Sequence, residues 1–169
     1  MIVVPGRFSP LHRGHETLLA TARTLGEVHV LVLGEGSPDA LPVLAQTLPG
    51  ATLSRAPQIA RLGPDTAAAL SAHLRTHLPG TTRLFGSDPA LKTSAEALGV
   101  AYTILDPEQL AMPADGDAIR ADLVGHWSLL SPAAKAAHAK RLTLIGPESS
   151  GKSTIAAKLV AAYGGPLVP

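Results

Sequence analysis

The sequence predicts an α/β fold built on a doubly wound parallel sheet. The evidence is an alternation of strand-like and helix-like segments along the chain. Short aliphatic runs of strand length occur at residues 1–4, 28–33, 82–85, 101–105 and 142–145. Helix-like segments at residues 15–25, 65–78 and 88–98 lie between these runs. Such alternation is typical of parallel sheets with helices on both faces. In that architecture, ligands bind beyond the carboxyl ends of the strands.

Composition narrows the classes of protein. A chain of 169 residues with 46% hydrophobic residues can form one full domain and the beginning of another. A net charge of +1 provides no dense basic field, so we expect no nucleic-acid partner. The absence of cysteine excludes disulfides and thiolate metal sites. The first residues of the sequence contain no long apolar run, so we expect neither a signal peptide nor a membrane span. We therefore expect a cytoplasmic protein.

The loop after the first predicted strand carries two histidines in an H-x-G-H pattern. His12, Gly14 and His15 lie between a strand predicted to end at Val4 and a helix predicted to begin near Glu16. A helix N-terminus projects partial positive charge, and a residue without Cβ lets the backbone approach a phosphate. The pattern therefore indicates an anion site.

Other residues of this loop fit the same interpretation. Gly6 with Pro5 would bend the chain off its strand, and Arg7 and Arg13 can add charge-assisted hydrogen bonds. An ordinary alternative is that His15 caps the helix while His12 is a solvated loop residue. The strand-to-helix context favours the anion site over this alternative.

The segment "GRFSPLHRGH" resembles the nucleotide-binding loop of the HxGH nucleotidyltransferases and is most similar to that of NadR-type nicotinamide mononucleotide (NMN) adenylyltransferases. The resemblance implies a Rossmann-like domain that transfers AMP from ATP, with Mg²⁺, to NMN, giving NAD and pyrophosphate. It implies that His12 and His15 hold the α-phosphate while the NMN phosphate attacks. The nucleotide-binding residues that it implies in this loop are Gly6, Arg7, Phe8 and Gly14.

A second motif lies near the end of the sequence. Residues 146–153 read G-x-x-x-x-G-K-S, between the apolar run at 142–145 and a helix-like segment, which is the context of a Walker A phosphate loop. Lys152 would reach the β- and γ-phosphates, and Ser153 could ligate Mg²⁺. The candidate phosphate-binding residues are Gly146, Ser150, Gly151, Lys152, Ser153 and Thr154.

This motif is similar to the phosphate loop of the ribosylnicotinamide kinase that follows the adenylyltransferase in NadR-type enzymes. The sequence after the motif has no room for a Walker B carboxylate, a base or a riboside pocket, so we expect no kinase activity. We predict an HxGH domain over residues 1–130, a linker over 131–140 with a short helix, and a P-loop kinase fragment over 141–169. Because the sequence opens at its first strand, we expect no DNA-binding repressor role.

Residues 118–144 are similar to the segment that joins the two domains in that family. The similarity implies that Arg120 contacts the ATP polyphosphate and acts with the histidine pair. Trp127 is interpreted as a packing anchor rather than a base-stacking platform. Gly86 and Asp88 resemble a turn that holds the adenosine ribose, although Asp88 could equally cap its own helix. His73 and His77 could grip a metal, but a solvated helix face is the expected alternative.

The sequence also departs from the family pattern. Asp115 and Asp117 stand where the family has phosphate-binding hydroxyls, and carboxylates should repel a triphosphate unless Mg²⁺ lies between them. Residues 39–53 carry neither the Arg nor the Trp expected there. Two alternatives therefore stay open. One is a nucleotide-binding module that has lost catalysis. The other is a different HxGH transferase acting on pantetheine phosphate or a polyol phosphate, which would leave the second motif unexplained.

The last predicted helix has an apolar side. Ile155, Leu159, Val160 and Tyr163 share it, and it would normally pack on a sheet. We expect this segment to be exposed, mobile, or docked on the first domain or on another copy of the chain, so a homo-oligomer is one expectation.

Overall fold

The computed structural model describes residues 1–35, 40–108, 110–111, 113–140 and 142–163, without the side chain of Tyr163. The chain divides into two compact units, Met1–His138 and Ala139–Pro169. Arg141, at the predicted start of the kinase fragment, lies outside the described residues.

The first unit is built on a five-stranded sheet in which every strand pair is parallel. The strands are β1 (Ile2–Gly6), β2 (Val28–Leu33), β3 (Thr52–Ala56), β4 (Arg83–Gly86) and β5 (Ala101–Ile104). Their order in space is β3-β2-β1-β4-β5. The chain therefore winds outward from β1 to one edge and then crosses to the other side of β1. This order confirms the predicted α/β class and is Rossmann-like, with a switch point between β1 and β4.

Six α-helices surround this sheet among the described residues of the first unit. They are α1 (Arg13–Leu25), α2 (Ala40–Thr47), α3 (Ala67–His77), α4 (Leu91–Leu98), α5 (Gly116–Ala121) and α6 (Pro132–His138). Two short 3₁₀ turns cover Pro64–Thr66 and Trp127–Leu129. The helix predicted for the connecting stretch is α6, and it packs into the first unit through the buried Ala134.

The core forms two layers, one on each face of the sheet. Alternate residues of β1 divide between them: Ile2 and Val4 join the layer that also holds residues from α1, α2, α5 and α6, whereas Val3 joins the layer under α3 and α4. All six residues of β2 are buried. A strand covered on both faces needs a continuous apolar run, which explains why this strand is easy to recognise in the sequence.

One polar side chain is buried within the sheet. His29 of β2 is buried, and its Nε2 lies 2.7 Å from the Ser54 hydroxyl of β3. Burial lowers the pKa of His29, with a smaller opposing effect of Glu27. The imidazole is therefore held neutral by its surroundings at neutral pH.

The second unit contains α7 (Lys152–Tyr163), preceded by an extended loop. The predicted strand at residues 142–145 is wrong: these residues form no strand, and Leu142 and Ile145 are 72% and 91% exposed. A parallel strand requires a neighbour for its backbone groups, and the described residues of this unit supply only a loop and a helix. Along α7, Ile155 is exposed, while Leu159 and Val160 are half-buried.

Among the described residues, no helix is both long and apolar enough to cross a lipid bilayer.

Candidate functional site

A cleft of about 690 Å³ opens in the first unit at the carboxyl ends of the strands. Its walls come from the segments that follow β1, β3, β4 and β5 and from the first turns of α1 and α5. This is the edge of the sheet at which parallel α/β proteins bind ligands, and it includes the switch point between β1 and β4.

Two histidines stand at the N-terminus of α1 on one wall. His12 is the residue before the first turn, and His15 lies within that turn. Their rings stack with centroids 3.7 Å apart and planes 24° from parallel. Each has a buried Nδ1 without a hydrogen-bond partner among the described residues. Unpartnered buried nitrogen atoms are costly, so these two rings are an exception to the usual hydrogen bonding of buried polar groups.

The surroundings keep this pair uncharged. Burial lowers the pKa of His12 from 6.5 to about 4, and Arg120 acts in the same direction against the opposing Asp115. Burial, followed by His12 and Arg120, holds the pKa of His15 well below its ordinary value. Both rings are therefore neutral at pH 7, and an incoming anion would shift both pKa values upward.

The strand-to-helix loop fits tightly around the pair. A Cβ at Gly14 would lie 3.1 Å from His12 Nδ1, and a Cβ at Gly6 would lie 3.0 Å from the Phe8 ring. Phe8 is buried, with a φ of 48°, and its ring lies 4.9 Å from that of His15. Phe8 therefore packs against His15. Gly6 leaves room for the Phe8 ring, and Gly14 leaves room for the His12 ring.

Residues near the end of the first unit also form backbone hydrogen bonds with the histidine loop. His12 forms an antiparallel bridge with Leu130, and the backbone N–H of Ser131 donates to the carbonyl of Leu11 at 3.1 Å. Ser131 is buried and its hydroxyl accepts from the N–H of Ala134, which lies in the first turn of α6. The segment after Trp127 therefore holds the histidine loop in place. Trp127 itself packs against the core, as the sequence indicated.

Two arginines reach the cleft and share one carboxylate. Arg7, after β1, donates to Asp117 Oδ1 at 3.3 Å, and Arg120 of α5 donates to the same oxygen. Arg120 also donates to the carbonyl of Ser9. Burial and the nearby Arg7 lower the pKa of Arg120, against the opposing Asp115. Arg13 is exposed, and the described residues that line the cleft do not include it.

The two carboxylates of α5 have different partners. Asp115 caps the helix by accepting the N–H of Asp117 at 2.8 Å, whereas the Asp117 side chain pairs with both arginines. The sequence predicts that both carboxylates repel a triphosphate unless Mg²⁺ lies between them, and it gives no indication of these partners. Among the described residues, no group of three or more His, Asp or Glu side chains could hold a metal ion.

The predicted ribose turn lies at the end of β4. Asp88 lines the cleft, and its Oδ1 accepts the N–H of Ala90 at 2.8 Å, so it caps the start of α4. A Cβ at Gly86 would meet Leu91 Cδ1 at 2.3 Å, and the described lining of the cleft does not include Gly86. Gly86 therefore makes room for a core leucine.

The sequence did not point to the segment after β3. Arg61, Asp65 and Thr66 line the cleft there, and the Thr66 hydroxyl donates to the carbonyl of Arg61 at 2.7 Å. These residues were missed because β3 itself was missed: its five residues are mostly half-buried or exposed and form no aliphatic run. The alternation of Leu53 with polar neighbours is the signal that could have found this edge strand.

The other histidine pair lies on α3, outside the described lining of the cleft. The rings of His73 and His77 have centroids 4.5 Å apart, and His73 Nδ1 lies 3.0 Å from Gln58 Nε2. Burial and His77 lower the pKa of His73. His77 is exposed and His73 is half-buried. The face of α3 that carries them, which the sequence predicts to be solvated, is therefore only partly exposed to solvent.

The G-x-x-x-x-G-K-S loop of the second unit curls around its lysine. Lys152 Nζ donates to the carbonyls of Gly146 at 2.8 Å and Pro147 at 2.5 Å and lies 3.4 Å from the Ser150 hydroxyl. Gly151 has a φ of 80°, which a residue with a side chain rarely adopts. Ser153 and Thr154 are exposed in the first turn of α7. An anion would have to compete with the loop carbonyls for Lys152.

No model of a known protein family matches this chain.

Proposed function

We propose that the chain is a nucleotidyltransferase of the HxGH type that transfers AMP from ATP to NMN, giving NAD and pyrophosphate. One observation carries the proposal: His12 and His15 stack at a helix N-terminus with unpartnered buried Nδ1 atoms, in a cleft that also contains Arg7 and Arg120. The resemblance of the H-x-G-H loop to NadR-type enzymes supplies the choice of substrates.

The chemistry of this wall suits a phosphate chain. A neutral imidazole can donate one N–H, a guanidinium donates several, and the N-terminus of the 13-residue α1 adds partial positive charge. All these groups favour an anion in the same small region.

The reaction needs no protein nucleophile. A phosphate oxygen of NMN attacks the α-phosphorus of ATP, the bond from that phosphorus to the bridging oxygen breaks, and pyrophosphate leaves with the electron pair. His12 and His15 would hold the α-phosphate oxygens, and Arg7 and Arg120 the leaving pyrophosphate. Mg²⁺ enters as part of the ATP substrate. Catalysis then consists of alignment and stabilisation of developing negative charge.

The test is incubation of the purified chain with ATP, MgCl₂ and NMN, with NAD read by an alcohol dehydrogenase assay and pyrophosphate release followed in parallel. His15→Ala is the active-site variant. His77→Ala is the matched control, since His77 is exposed on α3, outside the described cleft lining. We expect NAD from the native chain and the control. No NAD and no pyrophosphate from the native chain would reject the proposal.

A second candidate is a nucleotide-binding module without catalysis. The ion pairs of Asp117 with Arg7 and Arg120 favour it, because they occupy the groups that would hold the leaving phosphates. Nucleotide binding in calorimetry, without pyrophosphate release, would support this candidate.

A third candidate is an HxGH transferase with another phosphate acceptor. The described residues lining the cleft include no Trp or Tyr that could stack on a pyridine ring. Pyrophosphate release with 4′-phosphopantetheine or a polyol phosphate, and none with NMN, would support it.

For the second unit we propose a phosphate loop of the kinase type. The formed turn around Lys152 supports a phosphate-binding origin, and the missing strand supports the expectation that it transfers no phosphate. Incubation with ATP and nicotinamide riboside should give no NMN.

A further inference from the structure

One carboxylate oxygen joins the two arginines of the cleft. Asp117 Oδ1 accepts from Arg7, which follows β1, and from Arg120, one turn further along α5. The contact with Arg7 joins residues 110 positions apart in the sequence, whereas Arg120 is three residues from Asp117. Asp117 itself is held at a fixed backbone position, because its N–H donates to the capping Asp115.

We propose that Asp117 is an internal counter-ion of the phosphate site, which pairs with Arg7 and Arg120 before substrate binds and exchanges places with the phosphate chain. The physiological ligand, ATP and its product pyrophosphate, rests on the proposed function. The exchange itself concerns any polyphosphate that reaches the two arginines.

The ion pairs have the exposure expected of exchangeable contacts. The side chain of Asp117 is 69% exposed, and those of Arg7 and Arg120 are 39% and 30% exposed. Exposed ion pairs contribute little to stability, since water competes with both partners. A phosphate chain carries more negative charge than one carboxylate and offers several acceptor oxygens, so it can displace Asp117 from both guanidiniums.

The carboxylate nevertheless remains next to the bound anion. With Asp117 present, the two arginines and the aspartate sum to one positive charge, and without it they sum to two. Because Coulomb interaction scales with the charge of the ligand, the repulsion grows from orthophosphate to pyrophosphate to tripolyphosphate. Asp117 therefore lowers the affinity of the site in proportion to ligand charge, and it recaptures the arginines as pyrophosphate leaves.

The decisive measurement is calorimetric binding of inorganic orthophosphate, pyrophosphate and tripolyphosphate to the full chain in EDTA. We expect Asp117→Asn to tighten tripolyphosphate binding by about tenfold and orthophosphate binding by less. Asp117→Glu should restore native affinity. Asp115→Asn is the matched control: asparagine still caps a helix, and among the described residues Asp115 forms no salt bridge with either arginine, although its charge acts on Arg120. Its effect should therefore be smaller than that of Asp117→Asn.

Several outcomes would overturn the proposal. Equal or weaker binding of all three anions by Asp117→Asn is one, and an equal gain for Asp115→Asn is another. Weaker binding by Asp117→Asn when the titration is repeated with Mg²⁺ would assign the carboxylate to the cation instead. Asp117→Ser tests the same charge should the asparagine variant fold poorly. Because no nucleotide is turned over, a chain that forms no NAD can still pass this test.

Discussion

The imidazole rings of His12 and His15 stack face to face at 3.7 Å, and neither Nδ1 has a partner among the described residues. Two charged rings could not stay this close, because each would raise the cost of protonating the other. The pair is therefore held as two neutral imidazoles in fixed positions, and under the proposed function both act as hydrogen-bond donors to the α-phosphate.

Removing one of these donors should slow nucleotidyl transfer. We expect His15→Ala to lower kcat by at least ~10²-fold, the effect typical of losing one preorganised donor, while the KM for ATP changes less. The measurement is steady-state NAD formation, with His77→Ala as the control. Unchanged turnover would remove His15 from the mechanism.

Acid should destabilise the first unit through its buried histidines. The pKa of His12 falls from 6.5 unfolded to about 4 folded, and the pKa values of His15 and His29 are also lowered. The unfolded chain then binds more protons, so stability is full above pH 6.5 and falls toward pH 4. For His12 alone the loss approaches about 3 kcal/mol.

Urea unfolding between pH 7.5 and pH 4.5 measures this slope. The variant His12→Asn lacks the titrating ring, and we expect its stability to fall less steeply over the same range. Parallel slopes for the two proteins would contradict the assignment to His12.

A methyl group at Gly14 should weaken anion binding without lowering the stability of the fold. Its Cβ would lie 3.1 Å from His12 Nδ1 and 3.2 Å from Cε1, so the His12 ring must move. We expect Gly14→Ala to weaken pyrophosphate binding by about tenfold, while Tm is unchanged or raised because alanine favours a helix. Gly80→Ala is the control, since nothing lies within 4 Å of its Cβ. Native affinity in Gly14→Ala would show that His12 can shift without loss.

Two truncations should behave differently. Ending the chain after Arg141 leaves the unit Met1–His138 whole, so we expect Tm, oligomeric state and NAD formation to be retained. Ending it after Leu130 removes Ser131 and α6, and we expect a clear loss of Tm and of activity. Lys152→Ala in the full chain should change neither property. A large loss on removing residues 142–169 would show that the terminal segment belongs to the folded unit.

The sequence predicted the parts of the fold that have strong local signals. β1 and β2 are aliphatic because both faces of each strand are covered, and α1 follows a glycine-rich turn. β3 at the sheet edge has mixed burial and was missed together with α2. The opposite error occurred at residues 142–145, where a run of apolar residues predicted a strand, and the described residues of the second unit contain no other strand that could pair with it. The local composition of a segment indicates whether it is buried, but it does not indicate whether a neighbouring strand is present to pair with it.

The residues of the candidate site divide in the same way, into those with a local sequence signal and those without one. The histidine pair could be located because its spacing and its glycine are local. The pairing of Asp117 with Arg7 joins residues 110 positions apart, and no local pattern encodes it. Arg61 was missed for a related reason, since the loop that brings it to the cleft follows the unrecognised β3.

The fastening of Leu11 and His12 by Leu130 and Ser131 sets an order of events during synthesis. The histidine loop is translated more than a hundred residues before its anchoring segment. Until that segment emerges, the growing chain can pair early strands but cannot hold the loop in its final shape. Anion capture at the histidine loop should therefore begin only once the first unit is nearly complete.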